Sequence, residues 1–424
     1  MAVRANARLR RARTSDAGMS LLEVVIAMAI FAIGVTAILG IFVKTGGVAG
    51  DNIRRTTAAN LVNQQLEAAR SLTAQQIPSG RSVTSQVVGN ITYTITQTAG
   101  YLTSNAVASV CSSTGSALAY KLVRVSVTWT NMGQTKPVTG DVLRAVGVGS
   151  DDAAKGTLAV LISGATGLPM SGVAATLVGS TAQQTTGDDG CVVFTGLDDG
   201  NYSVSVNQTG YVGTANTQIA QSAAQSVAAG AVSRGTLLYA TSRTLNYVFD
   251  APVTGYVIPS GLPIRIGNTY LSETTLSTTC TASSTSACLT GVPGTLRNLF
   301  PEKYTVKAGT CVSSDPSQGL IDIRSATADN STVAVPMGAV TVTVKKSSTG
   351  AAITGRTVTF TSSGCSTTET YTVASGSTLL LPYGTWNISV PAFSLGGVQL
   401  ANATGSAAIG SSARSAAVTI TVAN

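Results

Sequence analysis

The hydrophobic pattern of the chain begins with one long apolar run. Residues 19–43 contain a single charged side chain, that of Glu23. At ~1.5 Å per residue, a helix over this run is roughly 37 Å long, which is enough to cross a bilayer with some tilt. An ionised carboxylate in that setting costs roughly 3 kcal/mol unless it is paired. The pattern therefore predicts a transmembrane helix over residues 19–43 and a partner for Glu23 outside that helix.

A second helical pattern follows a glycine-rich stretch, residues 46–50. Each glycine in a helix interior costs ~1 kcal/mol relative to alanine, so we expect a flexible or melted segment there. From Asp51, a suitable N-cap, to Ile77, apolar residues recur at helical spacing. They are Ile53, Ala58, Leu61, Val62, Leu66, Ala69 and Leu72. The opposite face is polar, so residues 44–78 are predicted to hold an amphipathic helix that rests on an apolar surface.

Strict alternation of apolar and polar residues comes next. It covers residues 91–96, 122–129 and 138–146, and the segments are separated by Gly, Ser and Asn. This alternation is typical of antiparallel strands with one buried face. We predict that residues 79–150 form an antiparallel sheet, so that the N-terminal part is of the α+β class.

Beyond a linker rich in glycine and aspartate, at residues 147–152, the chain repeats itself. In three places an aromatic residue stands five positions after a leucine and opens an alternating segment: Tyr202, Tyr304 and Trp386. Copies of about 90 residues with short strands and Gly/Asp turns fit small β-sandwiches. We therefore predict three all-β Ig-like domains over residues 151–243, 244–337 and 338–424, the second with a cysteine-containing insertion.

Composition narrows the possible chemistry. The chain has 424 residues, of which 10% are charged, and it contains no histidine. Catalysis by Ser-His-Asp or Cys-His groups and histidine ligation of metals are thereby excluded. The Asp-Gly pairs at 189–190 and 199–200 resemble tight turns more than a calcium site, because their spacing is not that of an EF-hand loop. We predict a protein that is not an enzyme and needs no cofactor or metal.

Charge predicts the orientation of the membrane helix. Residues 1–18 carry five arginines against the single acid Asp16. By the positive-inside rule this segment stays cytoplasmic and the C-terminal part is exported. Without residues 1–18, 21 basic residues face 17 acidic ones. That balance gives a weak field with no basic cluster, so no nucleic-acid partner is evident.

Six cysteines in an exported chain without CxxC spacing indicate disulfides. Cys280 and Cys288 are the preferred pair, because they lie in one local insertion, and Cys311 is a competing partner. Cys111, Cys191 and Cys365 fall in different predicted domains. We therefore expect at least some of these three to be unpaired.

The N-terminal residues carry a family resemblance. Gly18, two further residues and then Leu21-Leu22-Glu23-Val24-Val25 resemble the signal of type IV prepilins and of type II secretion pseudopilins. The resemblance implies cleavage by prepilin peptidase between Gly18 and Met19, with 1–18 as the cytoplasmic leader, and N-methylation of Met19. It also implies that Glu23 pairs with the terminal amine of a neighbouring pilin subunit. The family most often has phenylalanine where this chain has Met19.

Two further resemblances cover the exported part. The segment YKLVRVSVTWTNMGQ, residues 120–134, is similar to minor pilins of the PilV type. Residues 155–240 resemble carboxypeptidase regulatory-like or Cna-B-like modules, and residues 339–424 do so less closely. These resemblances imply a minor pilin or pseudopilin that passes once through the membrane before assembly. It would end in a surface pilus or pseudopilus and display Ig-like modules for adhesion or at the tip, with an unknown surface ligand.

Other interpretations of the N terminus remain open. Residues 48–50 imitate the cleavage site of a secretory signal peptide, but the apolar run is longer than the ~7–15 residues of such a signal. A plain signal anchor has no use for Glu23. The main alternative is a membrane-tethered surface binding protein that never polymerises.

Overall fold

A computed structural model describes most of the chain. The described residues are 20–74, 76–103, 109–112, 118–133, 135–146, 155–276, 280–281, 283–310, 319–365 and 368–423, with residues 40–49 and 103 described by their backbone alone. The chain forms two compact units. The first unit comprises the described residues up to Gln65 together with Thr84–Ile95 and Ser126–Gly140. The second comprises Leu66–Val83, Thr96–Val125 and the described residues from Asp141 onward.

One helix, α1, extends over Leu21–Arg70. The expected interruption at residues 46–50 is wrong, because the helix is continuous there. A glycine weakens a helix by ~1 kcal/mol but keeps its N–H donor, whereas proline, which removes that donor, does not occur within α1. Asp51 consequently lies inside the helix and is not an N-cap.

The helix ends at Arg70, seven residues before the predicted end at Ile77. The Ser71 hydroxyl donates to the carbonyl oxygen of Ala68 at 2.7 Å, and the backbone N–H of Thr73 donates to the Gln76 side chain at 3.0 Å. Such local side-chain bonds compete with helical hydrogen bonds. Two members of the predicted apolar stripe, Ile53 and Leu72, are exposed, and the buried members are Ala58, Leu61, Val62, Leu66 and Ala69.

A four-stranded sheet follows the helix. Its strands are β1 (Gly80–Val88), β2 (Ile91–Thr103), β3 (Leu118–Trp129) and β4 (Val138–Ala145), hydrogen-bonded in that order. In β3 buried residues alternate with partly exposed ones, which explains the period-two pattern of the sequence. In the first unit, the rings of Tyr93 and Trp129 pack with their centroids 6.2 Å apart.

The first module, residues 155–241, contains two four-stranded sheets and a two-stranded one. The strands are β5 (Gly156–Ser163), β6 (Ala174–Leu177), β7 (Gln183–Thr185), β8 (Cys191–Leu197), β9 (Gly200–Tyr202), β10 (Val204–Asn207), β11 (Tyr211–Gly213), β12 (Ile219–Gln221), β13 (Gln225–Val227) and β14 (Val232–Thr241). The strand orders of the three sheets are β12-β10-β6-β7, β11-β14-β5-β8 and β13-β9. The two larger sheets share one apolar core, which includes Leu158, Phe194 and Tyr239.

The second module covers residues 243–336. Its strands are β15 (Arg243–Asp250), β16 (Tyr256–Val257), β17 (Ile264–Gly267), β18 (Thr274–Thr275), β19 (Cys288–Thr290), β20 (Thr295–Leu299), β21 (Lys303–Ala308), β22 (Gly319–Asp322) and β23 (Ser331–Pro336). Apart from β16, they form two four-stranded sheets, in the orders β19-β20-β15-β23 and β18-β17-β21-β22. A short 3-10 helix, Ala326–Ala328, precedes β23.

The third module covers residues 338–422. Its strands are β24 (Gly338–Lys346), β25 (Ala352–Ile353), β26 (Thr357–Ser363), β27 (Thr370–Ala374), β28 (Thr378–Leu381), β29 (Gly384–Val390), β30 (Phe393–Leu395), β31 (Val398–Leu400), β32 (Ala403–Ile409) and β33 (Ser415–Val422). They form the sheets β16-β28-β24-β25, with β33 beside β24, then β27-β26-β29-β32 and β30-β31. The first of these sheets includes β16, which belongs by sequence to the second module.

The three modules share one topological feature. In each module the first strand pairs in parallel with the last: β5 with β14, β15 with β23, and β24 with β33. Three copies of the same uncommon pairing agree with the repeat in the sequence. The structure thus confirms the predicted fold class, a helix and sheet followed by all-β sandwiches. The exact domain boundaries that the sequence predicts, such as 151–243 for the first module, remain predictions.

Candidate functional site

The start of α1 places an acid on an exposed apolar surface. Ser20 precedes the helix, and its hydroxyl oxygen accepts a hydrogen bond of 3.3 Å from the N–H of Leu22, as an N-cap does. Glu23 follows in the first turn with its side chain exposed. Within the described residues, no hydrogen bond or ion pair reaches its carboxylate. A negative charge in the first turn is favoured by the helix dipole, which alone contributes ~0.3–1 kcal/mol.

Behind Glu23 the helix surface is apolar. Leu21–Leu39 is the one helical stretch in the described part of the chain that is long and apolar enough to cross a membrane, and none of it is buried. Leu21, Phe31 and Ile33 each expose more than two thirds of their surface. A surface of this kind requires lipid or other apolar helices around it.

The two predicted processing residues, Gly18 and Met19, lie outside the described residues, so cleavage between them stays a prediction. The predicted assembly residue Glu23 is described, and its position at the first turn of α1 leaves its carboxylate accessible to another molecule.

The cysteines form two disulfides within the described chain. Cys280 and Cys288 are bonded, with their Cα atoms 5.3 Å apart. Cys111 and Cys191 are also bonded, with their Cα atoms 5.8 Å apart, although they are 80 positions apart in sequence. The expectation that some of Cys111, Cys191 and Cys365 are unpaired is wrong, because Cys365 is disulfide-bonded as well. Sequence reasoning failed here because folding brings together cysteines assigned to separate domains.

The repeated aromatic residues differ in environment. Trp386 and Tyr304 are buried, and each bonds to the carbonyl oxygen four residues upstream, at 3.0 Å from the indole N–H and 2.9 Å from the hydroxyl. This arrangement resembles the tyrosine corner of Ig-like sandwiches. Tyr202 is only half-buried, and in the first module Tyr239 takes the buried position, with its hydroxyl accepting from the N–H of Gln208. Equal spacing in sequence therefore did not guarantee equal burial.

The Asp-Gly turn of the first module is held by protein groups. Asp188 accepts a hydrogen bond of 3.0 Å from the Ser171 hydroxyl, and Asp189 accepts one of 3.1 Å from the N–H of Cys191. Across the described ranges, no group of three or more Cys, Asp and Glu side chains converges on a point where a metal could bind. These contacts favour a turn-forming role for the two aspartates.

Two buried polar residues escaped the sequence analysis. Lys121 lies on the apolar face of β3 and is buried, with its ammonium group donating to the carbonyl oxygen of Ile77. Burial lowers the pKa of Lys121 to about 8. Asn216, in a loop of the first module, is also buried and bonds to the second module. A lysine at an inward-facing strand position was the available signal for Lys121, whereas Asn216 carried none.

Comparison with protein families places a known motif at the N terminus. Residues 13–39 match the family model described as the prokaryotic N-terminal methylation motif. The chain thus carries the methylation motif of type IV prepilins, as the sequence predicts. No curated protein matches the chain.

Several solved structures are similar to the chain at low identity. The Bacillus anthracis TIE protein is 13% identical with a TM-score of 0.19, over 86% of this chain and 79% of that one. BcpA, the major pilin subunit of Bacillus cereus, is 14% identical with a TM-score of 0.18, over 63% of this chain and 99% of BcpA. GBS52, the minor pilin of Streptococcus agalactiae, is 14% identical with a TM-score of 0.22, over 42% of this chain and 93% of GBS52. TM-scores of this size carry no argument about function.

Proposed function

We propose that the chain is a pilin-type surface subunit, made as a membrane-anchored precursor and assembled into a filament through α1. The methylation motif at residues 13–39 supports this proposal. So does the exposed apolar surface of Leu21–Leu39, which lipid covers before assembly and neighbouring helices cover afterwards. The N terminus faces the cytoplasm and the β modules are exported, because residues 1–18, directly before the apolar run, carry five arginines against one acid.

The observation that carries the proposal is the exposed carboxylate of Glu23 beside that surface, which meets no partner among the described residues. In an apolar filament core, a lone carboxylate and a lone ammonium are each costly, whereas the two together satisfy each other. Prepilin peptidase cuts between Gly18 and Met19, and the new amine, methylated on Met19, pairs with Glu23 of a neighbouring subunit. This ion pair fixes the axial register of one subunit on the next.

We further assign the chain to the minor pilins or pseudopilins. Three modules attached to every subunit would obstruct the close lateral packing that buries α1, so a rare or tip position fits the chain better than the filament shaft. At such a position the modules act in adhesion and present a surface to a ligand outside the cell.

The test is a substitution of Glu23 compared with an acid elsewhere on the same helix. Glu23→Leu should reduce incorporation into sheared filaments at least tenfold, because it removes the intersubunit ion pair. The matched control Glu67→Leu removes an exposed acid that pairs with Arg70, and incorporation should stay within twofold of the unaltered chain. Incorporation and total membrane-bound chain are measured by immunoblot in both variants.

Two outcomes contradict the proposal. If Glu23→Leu enters filaments as well as Glu67→Leu does, the carboxylate is not an assembly residue. If neither the unaltered chain nor the control enters filaments while both reach the surface, the chain is a tethered binding protein that does not polymerise. Mass spectrometry of the mature N terminus checks the processing step, with a methylated Met19 as the expected result.

A further inference from the structure

The joints between successive parts of the second unit are buried and bonded. Consecutive modules share almost no linker, since only Ser242 separates β14 from β15 and only Met337 separates β23 from β24. Met337 is fully buried. Modules joined by a single residue do not move freely, in contrast to domains on flexible Gly/Ser linkers.

The joint between the sheet and the first module is covalent. The Cys111–Cys191 disulfide connects the turn after β2 to the start of β8. Beside it, the Arg234 guanidinium donates to the carbonyl oxygen of Val110 at 2.8 Å. An apolar cluster crosses the same joint and consists of Tyr101, Val110, Leu118, Ala159, Cys191 and Val193.

The joint between the first and second modules is organised around Asn216. Its Oδ1 accepts from the backbone N–H of Phe300 at 2.8 Å and lies 2.6 Å from the Tyr304 hydroxyl. Its own carbonyl oxygen accepts from the N–H of Ala287 at 2.8 Å. Asn216 belongs to the first module and the three partners to the second. The Phe300 side chain is buried against Val212 and Ala240 of the first module.

The joint between the second and third modules is a shared sheet and core. Strand β16 of the second module pairs in parallel with β28 of the third, so one sheet contains strands from both. A single apolar core runs through the two modules and includes Tyr304 and Trp386. The Arg414 side chain also forms an ion pair of 3.1 Å with Asp250 across this joint.

We propose that this part of the chain is one load-bearing arm, in which tension passes through buried joints and the Cys111–Cys191 bond instead of through flexible linkers. The disulfide lets tension reach Cys191 without stretching residues 112–190. In the second and third modules, the parallel pairing of first and last strands means that tension on the module ends shears all their hydrogen bonds together. That the chain comes under tension rests on the proposed function as a filament subunit. The mechanical coupling between the modules does not.

Optical-tweezer extension of the full chain in detergent micelles tests whether the Cys111–Cys191 bond carries tension past residues 112–190. Handles attach to tags at the two ends. Cys111→Ser with Cys191→Ser should lengthen the fully extended chain by about 270 Å, since about 80 residues at ~3.4 Å each are released. The matched control Cys280→Ser with Cys288→Ser should add only about 27 Å by the same arithmetic. Equal extension of the first variant and the unaltered chain would show that the bond carries no load.

Calorimetry of the same full chain in detergent tests the coupling. Asn216→Ala removes the two side-chain bonds across the joint, to the Phe300 N–H and the Tyr304 hydroxyl, and the unfolding of the first module should separate from that of the second. Asn268→Ala is the matched control, because Asn268 donates to the same Tyr304 hydroxyl from within the second module at 3.1 Å. It should lower the transition temperature without splitting the transition.

Three calorimetric results bear on the coupling. A single transition in the unaltered chain that splits only in Asn216→Ala supports the proposal. Separate transitions already present in the unaltered chain would overturn it, as would identical behaviour of the two asparagine variants. If Asn216→Ala fails to fold, the Cys111→Ser with Cys191→Ser variant tests the neighbouring joint, where the unfolding of the sheet should separate from that of the first module. These measurements use unassembled protein, so they do not depend on filament formation.

Discussion

The Lys121 ammonium nitrogen lies 4.4 Å from the ring centroid of Tyr101 in the second unit. The same nitrogen donates a hydrogen bond to the carbonyl oxygen of Ile77, at the end of the segment that follows α1. The ring face and the carbonyl oxygen are both attractive to a cation, yet burial lowers the pKa of Lys121 from 10.5 to about 8. This lysine therefore couples the stability of the second unit to pH.

We predict that stability rises with pH between 8 and 10 because of Lys121. In this range the folded state holds the lysine mostly neutral while the unfolded chain keeps it protonated, so the unfolded state binds more protons. The contribution is on the order of 2 kcal/mol. Above pH 10 the trend reverses, because burial raises the pKa of Tyr247, Tyr304 and Tyr371, and only the unfolded chain ionises them there.

Denaturant unfolding at each pH, followed by circular dichroism, checks this prediction. Lys121→Met should remove the rise between pH 8 and 10, whereas Lys136→Met, at an exposed position, should keep it. The prediction is wrong if the two variants show the same pH dependence.

The second prediction concerns the buried tyrosine of the repeat. Tyr304→Phe keeps the ring but removes the hydroxyl that bonds to Phe300 and Asn216, so the free energy of unfolding should fall by about 1–2 kcal/mol. Tyr202→Phe, at the equivalent and only half-buried position, should change it by less than about 0.5 kcal/mol. Urea unfolding of the full chain in detergent measures both, and equal losses would show that the two tyrosines have the same role.

The third prediction compares two glycines with left-handed backbone angles. A Cβ on Gly80 would lie 1.7 Å from the carbonyl oxygen of Thr185, whereas one on Gly89 would meet nothing within 4 Å. Gly80→Ala should therefore cost several-fold more stability than the ~1 kcal/mol expected of Gly89→Ala from backbone strain alone. Thermal unfolding of the two variants tests this. A similar loss in both would mean that β1 shifts away from Thr185 at little cost.

The fourth prediction ranks the two described disulfides by stability. In the chain-entropy model, closing the 80-residue separation between Cys111 and Cys191 stabilises by about 4.5 kcal/mol. Closing the 8-residue separation between Cys280 and Cys288 gives about 2.5 kcal/mol. Paired serine substitutions should reproduce this order in urea unfolding. The reverse order would show that native contacts, and not the constraint on the unfolded chain, dominate.

The local predictions succeeded where a pattern depends on neighbouring residues. The apolar run around Glu23 lies in a helix, and the alternating segments at 91–96 and 122–129 lie within strands β2 and β3. They failed where a weak local preference competes with a longer element. Residues 46–50 stay helical because glycine preserves the hydrogen-bond ladder, and the helix stops before Ile77 because hydroxyl side chains after Arg70 bond locally.

The sequence by itself determined the apolar helix with its single acid, the β character of the rest and the threefold repeat, because hydrophobic periodicity and turn residues act over a few positions. Only the tertiary structure decided which distant groups meet. It joined Cys111 to Cys191, seated Asn216 against Tyr304 and buried Lys121 over Tyr101. Such pairs depend on how whole sheets pack, and nothing in the residues between them records that geometry.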